Sequence, residues 1–106
     1  MNTTFDDRER GYESKFAHDE SLRFKADARR NRLVGEWAAG LLGKQGDDAR
    51  AYALSIVTSD FEEPGHEDVF RKLSADLDGK ATEAEIRAKM AELMTVARHQ
   101  IIGEAD

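Results

Sequence analysis

From residue 20 onward the apolar positions of this chain recur at the 3.6-residue period of a helix, whereas before it they thin to a narrow stripe. Leu22, Ala26, Leu33, Trp37 and Leu41 lie on or beside one face of a first helix, expected over about 20–42 and capped by Asp19 or Ser21. Gly43 supplies the left-handed stop, and Lys44 sits near the negative end of the helix dipole. Gly35 and Gly40 fall inside this helix, where each costs about 1 kcal/mol against Ala, so a close helix crossing is expected to compensate them. Trp37, the largest apolar group, shares a face with Leu33 and Leu41 and is read as a core anchor before a partner contact. Gly46, Asp47 and Asp48 open a second helix, about 47–61, in which Ala49, Tyr52, Ala53, Ile56 and Val57 make the cleanest amphipathic pattern of the chain. Pro64 and Gly65 break it. A third helix, about 66–78, turns Val69, Phe70, Leu73 and Leu77 inward and stops at Gly79. Thr82 and Glu85 form a T-x-x-E capping box that opens a fourth, about 82–102, with Ile86, Met90, Leu93, Ala97 and Ile101 on its face. Short connections and the lack of any internal repeat favour neighbouring antiparallel helices. The fold expected of residues 19–106 is all-α, a small four-helix bundle.

Residues 1–18 behave differently. Phe5, Tyr12 and Phe16 are seven and four apart and would share one stripe of a helix, but nearly every position between them is polar or charged. That stripe is too thin for a core-facing helix, and Gly11 weakens helix further. The segment is expected to be a mobile arm, disordered alone and ordered on a partner, with Phe5, Tyr12 and Phe16 as partner anchors rather than core residues.

Composition narrows the class. The 106 residues fit one modest domain, with one proline and no cysteine, so neither a disulfide framework nor a thiolate zinc site exists. No apolar run is long enough to span a bilayer, and the charged N-terminus lacks a secretory signal, so a soluble cytoplasmic protein without membrane insertion is expected. The net charge of −6 is unevenly spread: residues 1–32 carry eight bases and seven acids, and the rest eight against fifteen. Arg23, Lys25, Arg29, Arg30 and Arg32 stand against Asp27 alone, a local patch suited either to a phosphate or carboxylate-rich surface or simply to solvent.

Catalytic patterns are missing. His18, His66 and His99 belong to no zinc-binding spacing. Asp60, Glu62, Glu63, His66, Glu67 and Asp68 are dense enough to suggest a divalent cation, but they lack the alternation of an EF-hand, and acids opening a helix already favour its dipole. Gly40, Gly43 and Gly46 have no GK[ST] behind them and are helix-end punctuation, not a phosphate loop. Met90 and Met94 read as core packing before an adaptable groove. No catalytic residue or metal ligand is assigned, and the chain is not read as an enzyme.

Three stretches carry a resemblance: FDDRERGYESKFAHD from Phe5, RRNRLVGEWAA from Arg29, and DFEEPGHEDVFRK from Asp60. In this order they resemble the zeta subunit of alphaproteobacterial F-type ATP synthases, a small inhibitor of ATP hydrolysis. Departures are single positions, among them Gly11 and His66. The resemblance implies a four-helix domain with an N-terminal arm that inserts at a catalytic interface of the ATPase head and blocks rotation in the hydrolytic direction. Phe5, Tyr12 and Phe16 would then fill apolar pockets, with Arg8, Arg10 and Lys15 pairing with acids. The free protein would be a monomer, recruited from the cytoplasm to the membrane-bound enzyme. No cofactor is required; weak ATP or ADP binding is compatible with the resemblance, and the Arg23–Arg32 patch is where it would fall. The competing readings are a helical nucleic-acid-binding protein using that patch, or a generic adaptor. The net −7 of residues 33–106 and the lack of interleaved aromatics argue against nucleic acid.

Overall fold

The structure, a computed structural model, describes residues 20–60 and 67–105; the N-terminal arm and the segment 61–66 with Pro64, Gly65 and His66 lie outside the described residues. Four helices follow in order: α1 (Glu20–Leu41), α2 (Gly46–Ser59), α3 (Glu67–Asp76) and α4 (Glu83–Ala105), with no strand among the described residues. The architecture is all-α. Helix α1 packs against α2 and α4, and α3 closes the ring by packing against the same two.

Local chemistry explains the ends. Gly43 adopts φ +76°, which allows Lys44 N–H to reach back to Ala39 O at 2.9 Å and Gly43 N–H to Gly40 O at 3.1 Å, satisfying carbonyls that α1 leaves open. At the start of α4, Glu85 N–H donates to Thr82 Oγ1 at 3.1 Å and Thr82 N–H donates to Glu85 Oε1 at 3.2 Å, the reciprocal pair that the T-x-x-E spacing predicts. Helix α4 runs to Ala105, three residues past its expected end.

The core has two parts. In the larger, Val34 and Ala38 of α1, Ile56 of α2, Val69, Phe70 and Leu73 of α3, Leu77, and Ile86 and Met90 of α4 are buried together. Full burial of a side chain such as Ile56 or Leu73 stabilises the fold by roughly 1.5–3 kcal/mol. The smaller joins Leu22 and Ala26 of α1 to Ile101 and Ile102 of α4, with Met94 packed beside them. Three of the inward rows follow the sequence pattern closely.

Helix α1 departs from it. Its buried row is Leu22, Ala26, Arg30, Asn31, Val34, Gly35, Ala38 and Ala39, while Leu33 and Trp37 are half-buried and Leu41 is exposed. The cause is the crossing with α2: a Cβ built on Gly35 would stand 2.7 Å from Ala53 Cα, inside any normal contact. Helix α1 turns its smallest residues, not its largest, to its neighbour, because close backbone approach needs them there. Gly40 has nothing within 4 Å, so only Gly35 is explained by a crossing. Trp37 packs on the edge of the main core, and Lys89 Nζ lies 5.8 Å from its ring centre.

Candidate functional site

The expected arm contacts Phe5, Arg8, Arg10, Tyr12, Lys15 and Phe16 lie outside the described residues. The basic run of α1 is described in full, and the helix divides it. Arg23, Lys25 and Arg32 are exposed, Arg29 is half-buried, and Arg30 is buried at 3 % exposure. Expected as one patch, the run is split because a helix turns neighbouring residues about 100° apart.

Lys25, Arg29 and Arg32 stand at i, i+4 and i+7 and form one stripe. Arg29 reaches across to α4, donating from Nη1 to Gln100 Oε1 at 2.7 Å and from Nη2 to both Glu104 carboxylate oxygens at 2.6 and 2.8 Å. Arg32 lies 3.6 Å from Glu36 one turn on, an exposed pair that contributes little stability. Lys25 extends this stripe toward the start of α1, whereas Arg23, two residues earlier, falls on the opposite side of the helix.

Arg30 belongs to another environment. Its Nε donates to Asn31 Oδ1 at 2.6 Å, and Asn31 is itself fully buried. Burial pushes the guanidinium pKa below its usual value; Asp27, Asp60 and Asp68 oppose that shift, and Arg98 adds to it. Arg30 thus joins α1 electrostatically to the end of α2 and the start of α3, while the like charge of Arg98 on α4 opposes it. The sequence does carry a signal for this position, since Arg30 falls four residues beyond Ala26 and eight beyond Leu22, both buried.

Arg30 also lines an open cavity of about 460 Å³ with Arg87, Arg98, Met90, Ala91 and Met94. Arg87 pairs with Glu67 at 3.2 Å and lies 3.7 Å from the centre of the Phe70 ring. Sequence reasoning overlooked Arg87 and Arg98, although Arg87, Ala91, Met94 and Arg98 stand at i, i+4, i+7 and i+11 on one stripe of α4.

A further polar cluster ties α2 to α3. Tyr52 donates its hydroxyl to Asp76 Oδ2 at 2.7 Å, and Lys72 Nζ donates to the same oxygen at 3.0 Å. Burial would raise the Asp76 pKa, but these hydrogen bonds, with the charges of Lys72 and Lys44, bring it below its ordinary value. Burial, then the bond to Asp76, hold the Tyr52 phenol protonated well above its ordinary range. No group of three or more acids, histidines or cysteines among the described residues could hold a metal ion. No helix among them is long and apolar enough to cross a membrane.

The family described as ATPase inhibitor subunit zeta matches residues 2–100, a span that takes in the arm, the basic run and nearly all of the helical domain. The chain belongs to this zeta family. A protein structure solved by solution NMR is similar to it with a TM-score of 0.73 and 59 % sequence identity, covering 78 % of this chain and 98 % of that one. No curated protein matches. Membership of the zeta family identifies the chain as an ATPase inhibitor subunit, and all three blocks quoted from the sequence fall inside the matched span.

Proposed function

We propose that this zeta-family chain inhibits ATP hydrolysis by an F-type ATP synthase through its N-terminal arm, which inserts at a catalytic interface of the ATPase head while the four-helix domain serves as its anchor. The observation that carries this reading is the match to the inhibitor family over residues 2–100, which spans arm and bundle together. The mechanism is steric. The arm orders as a helix between moving subunits, Phe5, Tyr12 and Phe16 occupy apolar pockets, and Arg8, Arg10 and Lys15 pair with acids around them. Lys25 and Arg32, exposed on one face of α1, provide an electrostatic docking surface close to the root of the arm, and Arg23 adds a positive charge on the opposite face. The role is regulatory rather than catalytic, and the free protein works as a cytoplasmic monomer that joins the membrane-bound enzyme.

The test is removal of residues 1–18. Truncation should leave helical content nearly unchanged and abolish inhibition of the purified ATPase. Replacing Phe5, Tyr12 and Phe16 together by Ala should have the same effect. The arm as an isolated peptide should inhibit poorly, because without the bundle it loses the effective concentration that tethering provides. Full inhibition by the truncated protein would move the active surface to the bundle and refute the reading.

A second reading concerns weak adenine-nucleotide binding. The cavity lined by Arg30, Arg87 and Arg98 favours it, since three guanidinium groups against the single acid Glu67, which pairs with Arg87, suit phosphate recognition above an apolar wall of Met90 and Met94. Titration of ATP or ADP into labelled protein should move the amide signals of Arg87, Ala91 and Arg98. Shifts confined to Lys25 and Arg32 would instead place the nucleotide on the outer face of α1.

A further inference from the structure

An open groove of about 430 Å³ lies where α1, α2 and α4 meet. Its apolar lining is Phe24 and Ala28 of α1, Val57 of α2 and Ile101 of α4. Lys25, Arg29, Arg32 and Glu104 supply its charges, three bases against one acid. Phe24 is 58 % exposed, much more than a ring of that size needs to be in a bundle that buries Leu22 and Ala26 beside it.

We infer that this groove is a resting site for the chain's own N-terminal arm, occupied while the arm is not engaged with the ATPase. Three observations converge on that occupant. The first is position: α1 begins at Glu20, and Phe24 follows one turn later, about 6 Å along the helix axis. From Tyr12 to Glu20 the chain can extend about 26–29 Å, more than the roughly 12 Å of helix between Phe24 and Arg32. The second is chemistry. The arm carries Phe5, Tyr12 and Phe16 among polar neighbours, and the groove offers an apolar wall of matching character. The third is charge: residues 1–19 hold five acids and three bases, net −2, facing a lining of net +2.

The contact is reversible by construction. Arg29 is already engaged with Gln100 and Glu104, so an acid of the arm competes with those partners for it. A short tether raises the local concentration of the arm to the millimolar range, enough to populate even a weak site. The regulatory consequence rests on the inhibitory role proposed above. An arm seated in the groove is unavailable to the ATPase, so the apparent inhibition constant rises by the inverse of the free fraction. Weakening the groove should therefore make a stronger inhibitor.

The chain has no cysteine, so Ser14→Cys can carry a nitroxide spin label at a single site. In the full-length protein the label should broaden the amide signals of Ala28, Val57 and Ile101. Glu83, about 27 Å along α4 from Ile101, should be spared. Ala28→Glu, or Phe24→Ser if the first variant loses helical content, should reduce that broadening and improve inhibition roughly two- to tenfold, corresponding to a groove between half and nine-tenths occupied. Broadening that is the same in the parent and the groove variants would overturn the inference. So would broadening that appears only when spin-labelled protein without isotope is mixed with unlabelled-arm isotopic protein, because the occupant would then be the arm of a second copy. Groove broadening in a protein that inhibits nothing would defeat the inhibitory role and leave the docking intact. Inhibition without broadening would do the reverse.

Discussion

Two glycines of α1 give a direct measure of how closely the helices cross. Gly35 and Gly40 both sit in the helix, and replacing either by Ala removes backbone freedom from the unfolded chain, a gain of about 1 kcal/mol. At Gly40 nothing lies within 4 Å of the new Cβ, so Gly40→Ala should stabilise the protein by about that full amount. At Gly35 the new atom would stand 2.7 Å from Ala53 Cα and 3.1 Å from Ala53 Cβ. Backbone cannot swing aside as a flexible side chain can, so α1 and α2 must separate and loosen the packing of Val34, Ala38 and Ile56. Overpacking of this kind costs about 1–3 kcal/mol, which cancels or exceeds the propensity gain. Gly35→Ala should therefore be less stable than Gly40→Ala by about 1–3 kcal/mol. Urea unfolding followed by circular dichroism reads this as a shift in midpoint at constant slope. Equal stability of the two variants would refute the close crossing, and with it the reason that α1 turns its small residues inward.

Other consequences can be measured in the same way. Arg30→Ala should cost about 1–3 kcal/mol, because it leaves the buried Asn31 Oδ1 without its donor, whereas Arg23→Ala on the surface should stay within about 0.5 kcal/mol. Trp37→Ala should cost about 1–3 kcal/mol, less than the 3–5 typical of a fully buried aromatic, since the ring is half-buried; a loss above that range would mean that Trp37 is a central anchor after all. Asp76 has a folded pKa below its ordinary 3.8, so its contribution is present at neutral pH and fades as pH falls through the folded value. Asp76→Asn should be less stable than the parent at pH 7 and lose less of its stability on acidification. Tyr52 has the opposite sign of linkage: its raised pKa stabilises the fold below pH 10.0, and that contribution declines as alkaline titration proceeds. Tyr52→Phe should flatten the alkaline limb.

Helix existence was readable because each helix carries its own punctuation: Gly43 and Gly79 at positive φ, and the Thr82–Glu85 box. The inward rows of α2, α3 and α4 were readable because bulk and burial coincide there. On α1 they do not. Leu33, Trp37 and Leu41 outweigh Gly35, Ala38 and Ala39 in any hydrophobic pattern, but proximity to Ala53 selects the smaller set. The basic run was visible as composition, and its division was not, because partners such as Glu104 lie seventy-five residues from Arg29 along the chain. Arg87 and Arg98 were hidden for the same reason: they meet Arg30 only once α1 and α4 pack.

The junction between Arg29 and Glu104 also has a mechanical side. If a rotor pushes on the arm, the force enters the bundle at the first turns of α1. There the resistance comes from the smaller core, Leu22 and Ala26 against Ile101 and Ile102, with the Arg29 clasp loaded beside it. The larger core around Leu73 and Ile86 lies farther along the load path and bears the push only after that brace yields. Endurance under torque is thus set by a few contacts between the beginning of one helix and the last turns of another.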